Sequence, residues 1–228
     1  MPALLKILEQ EIIGCSLCPR LIAHCSHMAQ VKRRAYRDWE YWGKPVPPFG
    51  DPDAPVLILG LAPGAHGANR TGRMFTGDRS GDLLYKVLHA TGFASQAESV
   101  RAGDGLALKG AYITAAVRCA PPDNKPAPEE VRACRPYLER ELELLDRVRV
   151  VVALGKLAFD NYLSILKHQG RIARVSDFAF GHNVEYRTGT GQPVLMASYH
   201  PSQQNTSTGK LTEAMLLSVF ERARELAF

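Results

Sequence analysis

The sequence of 228 residues contains no apolar run approaching the roughly 18 to 20 residues that a membrane-spanning helix requires. It also lacks a signal-peptide pattern, because the first residues, MPALLKILEQEIIG, form an amphipathic stretch with acidic side chains. No internal repeat and no low-complexity tract is present. We therefore expect one domain covering residues 1–228, cytoplasmic and monomeric, without membrane contact.

Two common nucleotide-binding signatures are missing from the glycine-rich stretch at residues 60–82. The sequence GLAPGAHG lacks the Lys-Ser/Thr pair of a P-loop, and no GxGxxG follows the preceding apolar run. That run and the amphipathic stretch after residue 82 predict a strand, a loop and a helix. The loop carries His66, Phe75 and Asp78, which suit a flat heterocycle better than a triphosphate. The alternative is a long surface loop without a ligand.

Acidic charge is in deficit, since the net charge is +5 and the isoelectric point about 9.0. Basic residues gather at 32–37 (KRRAYR) and near the loops that follow predicted strands; Arg70, Arg73, Arg118 and Lys125 belong to this second set. Basic charge beside a pocket indicates a polyanionic partner, with nucleic acid first. A solvated basic surface is the alternative interpretation.

The sequence contains only five cysteines. Cys15 and Cys18 form a CxxC motif after the first predicted helix, and such a pair is seldom a disulfide in a reducing compartment. With Cys119 and Cys134 they predict a four-sulfur site for zinc or an iron–sulfur cluster. We favour a [4Fe–4S] cluster, because a proline-rich loop separates the second pair widely. Cys25 could replace one ligand.

Strand and helix patterns alternate along the rest of the chain. The predicted strands are 56–59, 112–117, 148–154 and 194–198, and the predicted helices are 3–14, 128–145, 156–168 and 209–226. This order predicts an α/β fold with a parallel sheet and helices on both faces. His200 follows the last strand and precedes a polar loop, so it should lie at the same sheet edge as the glycine-rich loop.

Three segments together carry a family resemblance: GLAPGAHGANRTGRMFTGD at 60–78, AAVRCAPPDNKP at 115–126 and SYHPSQQNTSTG at 198–209. They resemble the uracil-DNA glycosylase superfamily, and family 5 within it. The resemblance implies a three-layer α/β/α sandwich around a four-stranded parallel sheet. It also implies a [4Fe–4S] cluster on the four cysteines named above, which would join the N-terminal segment to the body.

The resemblance further implies an enzyme that flips damaged bases out of double- or single-stranded DNA and hydrolyses the N-glycosidic bond of uracil, and of bases such as hypoxanthine and ethenocytosine, which initiates base excision repair. It implies Asp78, Asn124 and His200 as catalytic residues. The residues implied to surround the base are Gly60, Leu61, Ala62, Pro63, Phe75 and Ala115. Ala62 and Ala115 stand where other branches of the superfamily carry acidic or amide residues. The absence of those residues here matches the family 5 pattern.

The chemistry of glycosidic hydrolysis explains these residue types. A carboxylate can activate water and offset charge on the sugar, and a donor can stabilise the departing base. We therefore expect Asp78 to act on water and His200 on the base, with Asn124 holding the water or the sugar. The expected DNA contacts are Arg70, Arg73, Arg118 and Lys125 at phosphates, with Ser202, Gln203, Gln204 and Asn205 in the wedge loop. A non-catalytic iron–sulfur DNA-binding or redox-sensing protein and a zinc hydrolase are the alternatives.

Overall fold

The computed structural model describes residues 2–228. Eight α-helices and six strands are assigned in this range. In chain order they are α1 (Pro2–Ile13), α2 (Pro19–Val31), β1 (Phe49–Gly50), β2 (Val56–Gly60), α3 (Ala68–Thr71), α4 (Arg79–Ala90), β3 (Ala111–Ala115), α5 (Pro128–Leu144), β4 (Val150–Leu154), α6 (Lys156–His168), β5 (Val184–Arg187), β6 (Val194–Ser198), α7 (Gln203–Ser207) and α8 (Glu213–Ala227). Short 3-10 turns lie at Arg34–Tyr36, Pro122–Asn124 and Val175–Asp177.

All six strands form one sheet in the order β1-β3-β2-β4-β6-β5. The four central strands, β3, β2, β4 and β6, are parallel, which is the sheet predicted from the sequence. The prediction of a four-stranded parallel sheet is nevertheless too narrow, because β1 and β5 pair antiparallel at the two edges. The sheet is therefore mixed. Both edge strands are short and half-exposed, so neither has the apolar run of a central strand.

The central strands separate two apolar layers. In β2, Val56 and Ile58 face one layer, whereas Leu57 and Leu59 face the other, as the two-residue period of a strand requires. The first layer is filled by residues of α4 and α8, such as Leu84 and Phe220. The second is filled by residues of α1, α5 and α6. These helices cover both faces of the sheet, so the predicted three layers are present.

Two parts of the chain differ from the sequence-based expectation. Helix α2 directly follows the CxxC motif and was not predicted; Pro19 occupies its first turn, where proline is favoured. The stretch 92–110 contains no predicted strand or helix, and its composition is typical of an exposed loop, but Phe93, Ser99 and Leu106 are buried. Its polar composition concealed the few side chains that anchor it.

The parallel arrangement sends the carboxyl ends of β2, β3, β4 and β6 to one edge of the sheet. The glycine-rich loop, the turn bearing Asn124, Gly155 and His200 follow these four strands in that order along the chain. Ligands in open α/β sheets bind at this edge. Within residues 2–228, no helix is long and apolar enough to cross a membrane.

Candidate active site

Phe75 stands in a backbone conformation that few non-glycine residues adopt. Its φ is +51°, in the left-handed region, and its ring lies against the end of β2. A methyl group at Gly60 would lie 2.9 Å from Cζ of that ring, so only glycine leaves the ring its space. Strain of this kind persists where surrounding structure imposes it, and it is concentrated at functional sites. The ring of Phe75 is thus held at the carboxyl edge of the sheet.

His200, two residues after the end of β6, lies near this ring. The centroids of the Phe75 and His200 rings are 6.0 Å apart, with 32° between the planes. Asn205 holds the backbone of His200, because its Nδ2 donates to the carbonyl oxygen of His200 at 2.8 Å. A methyl group at Gly155 would come within 3.2 Å of Cβ of His200, so the turn after β4 also needs glycine. Two predicted site residues are therefore brought together.

Asp78 joins the site as the N-cap of α4. Its Oδ1 accepts a hydrogen bond from the backbone N–H of Gly81 at 3.0 Å, which satisfies one free donor of the helix end. Its Oδ2 lies over the glycine-rich loop, and a methyl group at Gly67 would lie only 1.9 Å from it. Burial raises the pKa of Asp78, opposed by hydrogen bonds from the N–H groups of Gly81 and Ser80. A half-enclosed carboxylate of raised pKa is suited to accept a proton.

Asn124 lies on the turn that follows β3, at the same edge of the sheet. It ends the 3-10 turn after β3 with φ +55°, and it is exposed. Within residues 2–228 its side chain makes no hydrogen bond with another predicted catalytic residue, so its catalytic role stays a prediction. Ala115 is buried beside Gly60 in the sheet register. Of the other predicted base-binding positions, Leu61 and Ala62 are half-buried and Pro63 is buried in the loop.

Burial sets the charge of His200. It lowers the pKa of this imidazole to about 4, so the ring is neutral at pH 7. A neutral imidazole can still donate one N–H to a developing anion. The donor expected from the sequence is thus uncharged in the free protein.

We expect the lowered pKa of His200 to make the free energy of unfolding fall as the pH drops from about 6.5 to 4. In this window the unfolded chain binds a proton that the folded imidazole does not, so acid favours unfolding by at most about 3 kcal/mol. Urea unfolding across the window should show a shallower decline for His200→Gln than for the wild type. Equal declines would contradict the assigned pKa. His168→Gln, at an exposed histidine, is the matched control.

Three of the arginines predicted to grip phosphates are buried instead, and this corrects the prediction. Arg118 is 1% exposed and pairs with Glu141 at 2.6 Å. Arg73 is 5% exposed, and its Nη2 lies 2.7 Å from Oδ2 of Asp104. Arg70 is 3% exposed and donates to two backbone carbonyls of its own loop. Their charges are used inside the protein, which sequence position alone could not reveal.

The remaining predicted DNA contacts differ in accessibility. Lys125 and Gln204 are exposed, as is Gln203, and these can reach a ligand. Ser202 caps α7, since its Oγ accepts from the N–H of Asn205 at 3.3 Å. Asn205 is engaged by the carbonyl of His200, so it supports the site and is not free to enter DNA. The predicted wedge loop is a short helix, and its exposed glutamines are the candidates for that role.

The four predicted metal ligands and Cys25 gather where α2, the end of β3 and α5 meet. Cys18, Cys25, Cys119 and Cys134 share a small, mainly apolar cluster with residues such as Leu21 and Ala62. Burial and the neighbouring Cys134, Glu130 and Cys15 raise the pKa of Cys18 to about 11. Ala62 belongs to the glycine-rich loop, so this cluster packs against the loop that forms part of the candidate active site.

The geometry of these thiols does not converge on a single point. Within residues 2–228, no three histidine, cysteine, aspartate or glutamate side chains are placed so that they could hold one metal ion. The donor chemistry is nevertheless uniform: Cys15, Cys18, Cys119 and Cys134 are all free thiols. Cys25 is fully buried, and its Sγ faces the carbonyl oxygen of Ala120 at 3.7 Å. The set fits a sulfur-ligated group in residue type, and three of its four members share one apolar cluster.

Sequence reasoning missed the aromatic support of the loop. The guanidinium of Arg70 lies 3.8 Å from the ring centroid of Tyr36 and 4.1 Å from that of Trp39. Tyr36 belongs to the basic segment 32–37, KRRAYR, which was interpreted by its charge, and Trp39 follows that segment two residues later. The interleaving of aromatic and basic residues there was the available signal.

Comparison with known proteins places this arrangement in a family. A family model described as the uracil DNA glycosylase superfamily matches residues 47–224, which cover the sheet and the three loops at its carboxyl edge. The chain belongs to the uracil DNA glycosylase superfamily.

Relatives identify the branch. A type-5 uracil-DNA glycosylase of Thermus thermophilus is 52% identical over 218 residues, which cover 96% of each protein. One of Mycobacterium bovis is 50% identical over 221 residues, covering 96% of this chain and 81% of the relative. One of Pyrobaculum aerophilum is 46% identical over 213 residues, covering 93% and 89%. The chain is thus similar to type-5 enzymes over nearly its whole length.

Proposed function

We propose that this protein is a uracil-DNA glycosylase that hydrolyses the N-glycosidic bond of uracil in DNA. The observation that carries this proposal is the placement of Phe75, Asp78 and His200 at one edge of the sheet, with the two rings 6.0 Å apart. An aromatic face, a carboxylate and a neutral donor are the groups that an extruded base and its sugar require. Relatives of similar length are named for this activity.

Each residue has a role that its surroundings support. Phe75 would stack on the extruded base, with a gain of roughly 1–3 kcal/mol. Asp78 would orient or deprotonate water and offset positive charge on the deoxyribose, since burial brings its pKa upward towards the working range of a base. The neutral imidazole of His200 would donate to O2 of the departing base. Asn124, on its exposed turn, would hold water or sugar once DNA is bound.

The direct test uses a labelled duplex with one uracil. The purified protein should release free uracil and leave an alkali-labile abasic site, without cutting the strand itself. Binding should weaken steeply with salt, because phosphate contacts release counterions. A duplex with thymine at the same position is the control. Binding without base release would favour the alternative, a DNA-binding protein that retains the fold.

We further propose that the enzyme accepts other deaminated or damaged bases. Ala62 and Ala115 offer only methyl groups near the loop, so neither side chain can select uracil by hydrogen bonding. Duplexes with hypoxanthine or ethenocytosine test this in the same assay. Excision restricted to uracil would contradict the proposal.

The second part of the proposal is a [4Fe–4S] cluster on Cys15, Cys18, Cys119 and Cys134. Its support is that Cys18, Cys119 and Cys134 share one cluster with apolar side chains such as Leu21 and Val117, and that Cys15 lies near enough to raise the pKa of Cys18. The ligands would join the segment after α1 to residues about a hundred positions later, and metal binding of this kind couples to folding. When bound, the cluster would link these two parts of the chain through its cysteine ligands, beside Ala62 of the glycine-rich loop.

We expect Cys18→Ala to lose iron and thermal stability together, because one ligand of four is removed. Cys25→Ala, at the buried fifth cysteine, is the matched control and should retain iron. Iron and acid-labile sulfide are measured on protein purified without oxygen, together with the melting temperature. Retained iron in Cys18→Ala, or its loss in Cys25→Ala, would contradict the assigned ligand set. Zinc in place of iron and sulfide would support the alternative metal site.

A further inference from the structure

Arg70 is placed to control the segment that carries Phe75 and Asp78. Its Nε donates to the carbonyl oxygen of His66 at 2.8 Å, and its Nη2 donates to that of Gly77 at 2.7 Å. These acceptors lie on the two sides of the Phe75 turn, and Gly77 directly precedes Asp78. One rigid guanidinium therefore bridges the loop at the residue next to the catalytic carboxylate.

Two aromatic rings, of Tyr36 and Trp39, pack against the guanidinium of Arg70. Tyr36 and Trp39 lie within 4.1 Å of its central carbon, and their rings meet edge to face with centroids 6.1 Å apart. The third nitrogen, Nη1, is buried and has no hydrogen-bond partner among residues 2–228. Contact with π faces stabilises a desolvated cation, which compensates for this missing partner. Tyr36 and Trp39 thus bind the positive charge of Arg70, which belongs to the glycine-rich loop.

Gly77 shows that the loop is built around this side chain. Its φ is +80°, and a methyl group there would lie 2.4 Å from Nη2 of Arg70. Only glycine permits both the turn and the close approach of the guanidinium. The backbone that delivers Asp78 is therefore shaped to the arginine.

The charges that face Asp78 come from its own helix and from Arg70. Asp82, one turn along α4, raises the pKa of Asp78, whereas Arg70 lowers it. The N–H groups of Ser80 and Gly81 also lower it, and burial, which raises it, is the largest influence. The two backbone N–H groups oppose burial most, and Arg70 is the one side-chain cation that adds to their effect.

We propose that Arg70, held between Tyr36 and Trp39, is a positioning residue for base excision: it fixes the Phe75–Asp78 turn and sets a permanent positive charge beside it. This inference rests on the proposed glycosylase function and deepens it. It replaces the phosphate-binding role that the sequence suggested for Arg70.

The experiment follows single-turnover excision of uracil between pH 4.5 and 8 for the wild type, Arg70→Gln and Arg70→Lys. Arg70→Gln should lower the plateau rate about tenfold or more through misplacement. It should also move the acidic midpoint upward, because a cation that lowers the pKa of Asp78 is lost. Arg70→Lys keeps the charge but not the bridge, so it should slow the reaction without moving the midpoint. Arg101→Gln, at an exposed arginine, is the control.

The outcomes separate this inference from the proposed function. No excision by the wild type would refute the function itself. Excision by a wild type whose acidic midpoint is shared by Arg70→Gln would refute the role of Arg70, whatever the rate. If Arg70→Gln fails to fold, Trp39→Leu is the test variant. Trp39 is half-exposed, and this variant retains Arg70 while removing one of its aromatic contacts. It should lower the plateau several-fold at unchanged KM, and an unchanged plateau overturns the proposal.

Discussion

Asp78→Asn should lower the single-turnover rate of uracil excision by about 10²–10⁴-fold, the usual contribution of a positioned general base. The substitution removes the charge and the proton acceptor but hardly changes the shape. Asn is also a good N-cap, so its Oδ1 can still accept from the N–H of Gly81 and α4 can still begin at Arg79. The measurement is a rapid-quench time course with enzyme in excess over a uracil duplex.

The stability of the same variant separates catalysis from folding. Burial raises the pKa of Asp78, so the folded protein disfavours the ionised form that exists at pH 7. Neutral Asn removes this cost, and its melting temperature should equal or exceed that of the wild type. Asp82→Asn, an exposed carboxylate on the same helix, is the matched control and should excise at nearly the wild-type rate. A slow Asp78→Asn that also melts early would indicate a structural role only.

The sequence predicted the centre of this fold because its signals were local. Val150–Leu154 is a continuous apolar run, as a strand covered on both faces requires, and its bounds lie inside the predicted 148–154. The parallel order then brings strand ends together, so loops far apart in the chain could be assigned to one edge. The contact between Phe75 and His200 follows from that topology and not from any local pattern.

The features that were missed depend on contacts that a sequence does not display. In a sequence, an arginine that will be buried cannot be distinguished from one that will be on the surface. Only its interaction partners in the folded protein show which it is. Arg73 pairs with Asp104, which lies in the stretch 92–110, where no strand or helix was predicted. Arg70 contacts the ring of Tyr36, in the basic segment 32–37, and that of Trp39, just after it. The edge strands β1 and β5 are four residues or fewer, too short for a periodic signal.

The largest effect on stability should come from Glu141→Leu. Glu141 is fully buried, and its Oε2 accepts from Nη2 of Arg118 and from Oγ1 of Thr114, each at 2.6 Å. Removing this carboxylate leaves the guanidinium of Arg118 charged, buried and unpaired. Such a loss costs about 3–5 kcal/mol. Urea unfolding at pH 7 should show this decrease, whereas Glu185→Leu at the surface pair with Arg222 should cost at most about 1 kcal/mol.

The double variant Arg118→Met with Glu141→Leu tests whether the ion pair itself stabilises the fold. Replacing both charges by apolar groups of similar volume is often neutral or stabilising, because the desolvation of two ions is avoided. Nε of Arg118 and Oε1 of Glu141 already lack hydrogen-bond partners within residues 2–228, so the pair is imperfectly satisfied. The double variant should therefore recover most of the lost stability. Failure to recover would mean that the charges also orient the adjoining segment at Cys119.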